Sequence, residues 1–167
     1  MTQVVELRDS VDADRLLAEA ARIVRNQPYC WLATAPEAGG VRLRPMGKIA
    51  FNTDAWTIHF ITDGRSRKAS DLRHVNNVSI VCGREADDAY IALIGTASLR
   101  ENPSEVRARW KDAYDTYFPT ETDKENAIFI EIGIESIELW VRGFTPEPFG
   151  MHTTRLQRDA GGWRVTS

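Results

Sequence analysis

The chain has 167 residues, 43% of them hydrophobic and 27% charged, with a formal net charge of −3. That length supports one hydrophobic core, and the slightly acidic balance removes any general drive toward nucleic acid or anionic membrane, so a polyanion site has to be local. No apolar run is long enough for a membrane-spanning helix, Met1 to Asp9 lacks the basic and apolar stretches of a secretory leader, and the cytoplasm is the expected location.

The first predicted element is a helix over about 11–27, capped by Ser10 or Asp12 and stopped by Pro28, with Leu16, Leu17, Ala20, Ile23 and Val24 at helical spacing. From Tyr29 the period changes to two. Tyr29 to Ala35 and Val41 to Phe51 read as strands joined by a Pro36 to Gly40 turn, and Ala55 to Thr62 as a third, with Trp56, Ile58 and Phe60 alternating with Thr57 and His59. The short connections favour antiparallel pairing. Cys30 and Cys82 each sit in an apolar run with no second cysteine beside them, which reads as buried thiols in a reducing compartment rather than metal ligands or a disulfide framework.

A loop and short helix are expected from Asp63 to about Val75, followed by strands Val78 to Cys82 and Tyr90 to Leu99. Pro103 opens a second long helix, with Val106, Trp110, Tyr114, Tyr117 and Phe118 on one face and Pro119 at its end. A polar loop leads to strands Ala127 to Ile132 and Ile137 to Arg142, and Asp159 to Gly162 is the turn of a closing hairpin over about 150–166. With the helix at 11–27 and a barrel at about 29–142, the chain reads as one mainly β domain, 1–167, an antiparallel barrel with helical decoration.

Two segments carry chemistry. In Ser66-Arg67-Lys68 a hydroxyl, a planar guanidinium and a mobile ammonium stand at the start of a short helix, whose first backbone N–H groups lack partners. Such a set makes a phosphate cradle; a solvated basic turn that binds nothing is the alternative. In Arg44-Pro45-Met46-Gly47-Lys48, Arg44 and Lys48 share a strand face, and Pro45 marks an edge or bulge whose free backbone groups can meet the polar rim of a planar heterocycle. An edge strand protected by charge has the same appearance. His59, His74 and His152 have no metal-ligand spacing, so no metal site is expected.

Taken in order, Arg44-Pro45-Met46, Thr62-Asp63, Ser66-Arg67-Lys68, Asn76-Asn77-Val78-Ser79 and Tyr90 to Ala97 with its Gly95-Thr96-Ala97 end resemble the pyridoxamine 5′-phosphate oxidase-like FMN-binding split-barrel family, in its general-stress-protein branch. The resemblance implies a six-stranded antiparallel Greek-key split β-barrel and a homodimer with FMN at the subunit interface. It implies cofactor contacts from Arg44, Pro45, Met46 and Lys48 along the isoalloxazine, from Ile61 and Thr62 to ring and ribityl arm, and from Ser66, Arg67 and Lys68 to the phosphate. Trp140 resembles a residue that approaches flavin from the partner subunit; a core or interface tryptophan is the other reading. Arg44 or Lys48 beside the ring would favour the reduced, anionic flavin. The substrate-phosphate stretch of the true oxidases has no counterpart in Thr120 to Asn126, so the implied activity is an FMN-dependent oxidoreductase on an unknown substrate, with NADH or NADPH as a candidate reductant. A non-catalytic flavin-binding stress module, a barrel that holds haem or a deazaflavin, and a barrel with an empty pocket are the rival readings.

Overall fold

The computed structural model describes residues 2–166, and its centre is one antiparallel sheet rolled onto itself. Its strands are β1 (Tyr29–Thr34), β2 (Arg42–Gly47), β3 (Ala50–Asn52), β4 (Thr57–Asp63), β5 (Asn77–Arg84), β6 (Ala89–Arg100), β7 (Ala127–Val141), β8 (Thr154–Asp159) and β9 (Gly162–Thr166). The main hydrogen-bonded order is β2-β1-β5-β6-β7-β4-β3. Its two ends, β2 and β3, are consecutive pieces of the segment predicted as the single strand Val41 to Phe51. Between them the chain changes partner: the Lys48 N–H donates to Pro28 O next to β1, and the Ile49 N–H donates to His59 O in β4. One broken strand thus serves both neighbours and completes a six-stranded ring, with β4 beside β7 in Greek-key order. Ring closure explains the break, because a tilted barrel strand runs out of register with one neighbour as it reaches the next.

The predicted alternation is what fills the ring. Ile58, Phe60, Ile80, Ile91 and Leu93 are fully buried, while the residues between them face outward. Cys30 and Cys82 are buried free thiols, as expected, but they also meet across β1 and β5.

Several elements differ from their expected bounds. Helix α1 runs Thr2–Asn26, so Ser10 and Asp12 lie within it rather than at its cap; no glycine or proline interrupts that stretch. Its Leu16, Ala20, Ile23 and Val24 are buried in the core, and it packs on β9. Helix α2 is Arg67–His74. The predicted long helix from Pro103 is only α3 (Pro103–Ala108), followed by a 3-10 turn, Asp112–Thr116. Val106, Tyr114 and Phe118 are buried in a second small cluster, but Tyr117 is 64% exposed and leaves the apolar face, because the change of helix type at Trp110–Lys111 resets the angular spacing. The expected polar loop contains α4 (Glu121–Glu125), whose Thr120 and Asp123 form a reciprocal capping box.

The two strands predicted over Ala127 to Arg142 are one 15-residue strand, β7. Gly133 to Ser136 looks like an interruption in sequence; in the structure the extra residue is absorbed by a bulge opposite Ile94–Gly95. The backbones crowd there: a Cβ on Gly95 would lie 2.0 Å from Gly133 O. Gly95→Ala is therefore expected to lower unfolding stability by about 1–3 kcal/mol, because a main-chain carbonyl yields less than a side chain; urea denaturation checks this, and an unchanged midpoint would refute the crowding. The closing hairpin β8–β9 forms as predicted, with Asp159 opposite Gly162, and it pairs with the second half of β7.

Candidate functional site

The site grows from the change of partner in the broken strand. Where β2 leaves β1, the rim of the barrel opens into a groove of about 450 Å³. Pro45, Met46, Gly47 and Lys48 line one side, and Ile61, Thr62 and Asp63 at the end of β4 line another. Pro28, Tyr29, Tyr117 and Phe118 complete the wall. Sequence reasoning does not place these four here; it puts Tyr117 and Phe118 on the apolar face of a helix and gives Pro28 and Tyr29 no role at a site.

A second hollow of about 480 Å³ adjoins the first and shares Lys68 with it. Arg42, Leu43, Arg44, Ser66 and Arg67 form the rest of its lining. Of the ten residues expected at a cofactor, nine border one hollow or the other; Trp140 does not. It lies on the outward face of β7 opposite Tyr90.

Local structure readies the second hollow for an anion. Ser66 is the N-cap of α2: its Oγ accepts the Ala69 N–H at 3.4 Å, which leaves the hydroxyl proton free to donate outward. The Arg67 and Lys68 N–H groups at the start of α2 have no partners within the helix, and the helix end adds a partial positive charge. Lys68 spends one donor on Thr62 Oγ1 at 2.9 Å and keeps the others. Its ammonium is held below the ordinary lysine range, chiefly by burial and then by the charge of Arg44, with Asp63 opposing. Arg67 is exposed and forms no ion pair among the described residues.

Arg44 is held more firmly than the sequence indicated. One terminal nitrogen donates to Thr34 Oγ1 at 2.7 Å and to Leu32 O at 3.3 Å; the other lies 3.9 Å from Asp71. Asp71, 5% exposed on α2, also accepts from Thr34 Oγ1 at 2.9 Å and from Arg42 at 2.8 Å. This Asp71–Thr34–Arg42–Arg44 network fixes α2 against β1 and β2 and sets the direction of the guanidinium. Burial pushes the Arg44 pKa down, and Asp71 offsets part of that.

Lys48 takes a different position from the one expected of it. Its stem lines the groove, but its ammonium donates to Val24 O at the end of α1. The charge is spent on a carbonyl at the helix end, and the cations left beside the hollows are Arg42, Arg44, Arg67 and Lys68.

A model of the family described as "Pyridoxamine 5′-phosphate oxidase like" matches residues 17–154, most of the chain. The chain belongs to that family. Many solved structures share the fold, three of them as follows. A Clostridium acetobutylicum protein related to general stress protein 26 is 15% identical, with 86% of this chain and 94% of that one covered at a TM-score of 0.70. A pyridoxamine 5′-phosphate oxidase-related, FMN-binding protein of Nostoc punctiforme is 16% identical, with 92% and 96% covered at 0.66. An F420 reductase is 18% identical, with 66% and 90% covered at 0.54. No curated protein matches the chain. The groove and the cation-lined hollow therefore sit on a split barrel of the pyridoxamine 5′-phosphate oxidase like family, and no helix among the described residues is long and apolar enough to cross a membrane.

Proposed function

We propose that the chain is an FMN-binding oxidoreductase that works as a homodimer. The observation that supports this most is the junction of an open, partly apolar groove with a hollow ringed by Arg44, Ser66, Arg67 and Lys68. A planar ring with a phosphorylated arm is a ligand of that shape and charge distribution. Ser66, Arg67 and Lys68 would hold the phosphate, Thr62 and Ile61 the arm, and Pro45, Met46 and the Lys48 stem the ring. Bound FMN would supply hydride and single-electron transfer. The chain's own part is to bind, to orient and to exclude water with Tyr117, Phe118 and Ile61. No histidine lines either hollow.

The second subunit is proposed from an apolar face beside the groove. Trp31 is 53% exposed on the outer side of β1, with Pro45 and Val81 as its neighbours across the two ladders, and Leu43 stands opposite Ala33. Tyr29 belongs to this face and to the groove. A patch of this kind marks an interface, and a two-fold pairing would place two equivalent grooves along it. Trp31→Glu is expected to turn a dimer into a monomer in light-scattering chromatography and to weaken FMN binding with it; a monomeric wild type, or a dimeric variant, would contradict the pairing.

The charge on Lys68 gives a pH dependence. Its ammonium form holds the phosphate, and burial beside Arg44 makes it lose its proton at lower pH than an ordinary lysine. FMN affinity should thus fall as pH rises toward the ordinary lysine range, and the fall should vanish in Lys68→Ala; a flat wild-type titration over that window would contradict the role. Turnover tests the enzymatic reading: the FMN-loaded protein should oxidise NADH or NADPH when a quinone acceptor is supplied. Bound FMN without turnover of either would favour a non-catalytic flavin module. The likeness to an F420 reductase supports a second reading, a deazaflavin in the same groove, and direct competition between the two cofactors decides between them.

A further inference from the structure

The two cysteines form a pair that the flavin site does not use. Cys30 is the second residue of β1, and one step along the ladder beyond Trp31–Val81 it stands opposite Cys82 of β5. Both side chains turn inward, 1% and 2% exposed. Their sulfurs are 2.9 Å apart, with the Cys82 thiol donating to Cys30 across a sequence separation of 52 residues. Filling the core at these positions requires no sulfur, since free cysteine packs there as a small hydrophobe.

The surroundings of the two sulfurs are unequal. The hydrogen bond from Cys82, helped by the positive field of Lys48, draws the Cys30 thiol below its ordinary pKa against the opposing effect of burial. The Cys82 thiol is pushed up by that same bond and by burial. One sulfur ionises more readily and the other keeps its proton alongside, which is the division of roles between an attacking and a resolving thiol.

We propose that Cys30 and Cys82 are a redox site, a dithiol that two-electron oxidation closes into a disulfide joining β1 to β5. With a peroxide as oxidant, the Cys30 thiolate attacks one peroxide oxygen and the O–O bond breaks. Cys30 becomes a sulfenic acid, and the released hydroxide takes up the proton that Cys30 gave away, forming the first water. The Cys82 sulfur then attacks the Cys30 sulfur. The S–S bond forms as the S–O bond breaks, and hydroxide leaves with the Cys82 proton as the second water. Both sulfurs are oxidised, and hydrogen peroxide is reduced to water. A dithiol reductant reverses the step by exchange. The open groove reaches the neighbours of Cys30: Pro28, Tyr29, Met46 and Lys48, around the start of β1, line it, and Met46 is the residue opposite Cys30 in β2, so a small oxidant would enter from that side. The proposal rests on the thiol geometry and stands apart from the identity of the cofactor.

The test uses the full chain, reduced, exposed to hydrogen peroxide in native buffer, then alkylated in denaturant and weighed. The expected product is monomer-mass, unalkylated and about 2 Da lighter than the reduced chain, and dithiothreitol restores two reactive thiols. The oxidised form should also unfold at higher urea, because the link closes a long loop. Cys30→Ala and Cys82→Ala should each lose the mass shift. Two alkylatable thiols after treatment, products about 16 Da heavier without the lighter species, or a disulfide-linked dimer would overturn the proposal.

Discussion

Lys68→Ala is expected to raise the FMN dissociation constant about 10- to 100-fold while leaving that of riboflavin unchanged. A charge-assisted hydrogen bond contributes about 1.5–3 kcal/mol, and about 1.4 kcal/mol is a factor of ten. The ammonium lies where the groove meets the cation-lined hollow and has one donor on Thr62, so its free donors are available to a phosphate. Riboflavin lacks that phosphate and reports only the ring and its arm. The cost to the fold is small, because the lysine holds a single side-chain hydrogen bond and no ion pair among the described residues. Equal losses for both ligands would mean that Lys68 supports the groove wall instead of the anion, and an unchanged FMN constant would remove it from the site.

The second large effect is expected at Asp71. Its carboxylate is buried and accepts from Thr34 and Arg42, with Arg44 close by. Asp71→Ala deletes the acceptor, leaves the Thr34 hydroxyl without its partner and releases two guanidinium groups toward one another. Removing one member of a buried charge pair costs about 3–5 kcal/mol. Arg42 is 42% exposed and reaches water, so the lower end, about 3 kcal/mol, is the expected loss in urea denaturation. Asp71→Asn keeps an acceptor for Thr34 and should fall between wild type and alanine. FMN affinity should drop in both variants, since Arg44 loses the anchor that directs it. A loss below about 1 kcal/mol in Asp71→Ala would show that the network is held by solvent-exposed groups.

The contrast between Lys68 and Asp71 shows which parts of the site are legible in sequence. Ser66, Arg67 and Lys68 are contiguous, and the strand-to-helix junction that gathers them is a local event that composition reveals. Asp71 looks like an ordinary helix acid. Its meaning comes from Thr34 and Arg42, 37 and 29 residues away, and only the packing of α2 on β1 and β2 brings them together. Cys30 and Cys82 are the same case, joined by a strand register that no local pattern encodes. The barrel itself was readable, because inward positions at a period of two are dictated by burial. The change of partner at Lys48–Ile49 was not: it is a property of ring closure, and Pro45 signalled only that the strand was irregular. The bulged β7 escaped for a related reason, since Gly133 to Ser136 interrupts the apolar run, and the strand continues through it by a bulge that Gly95 on the neighbouring strand leaves room for. For Lys48, parity and the resemblance place the residue along the groove, which its stem lines, but neither indicates the carbonyl that its long side chain finds.

The most direct test is a titration of the flavin-free wild-type protein with FMN, followed by visible absorption and fluorescence, with riboflavin run in parallel. A perturbed flavin spectrum that saturates near one FMN per subunit, with riboflavin binding at least about 100-fold more weakly, is the expected result. Equal affinities, or no saturable binding of FMN, would contradict a groove joined to a phosphate cradle.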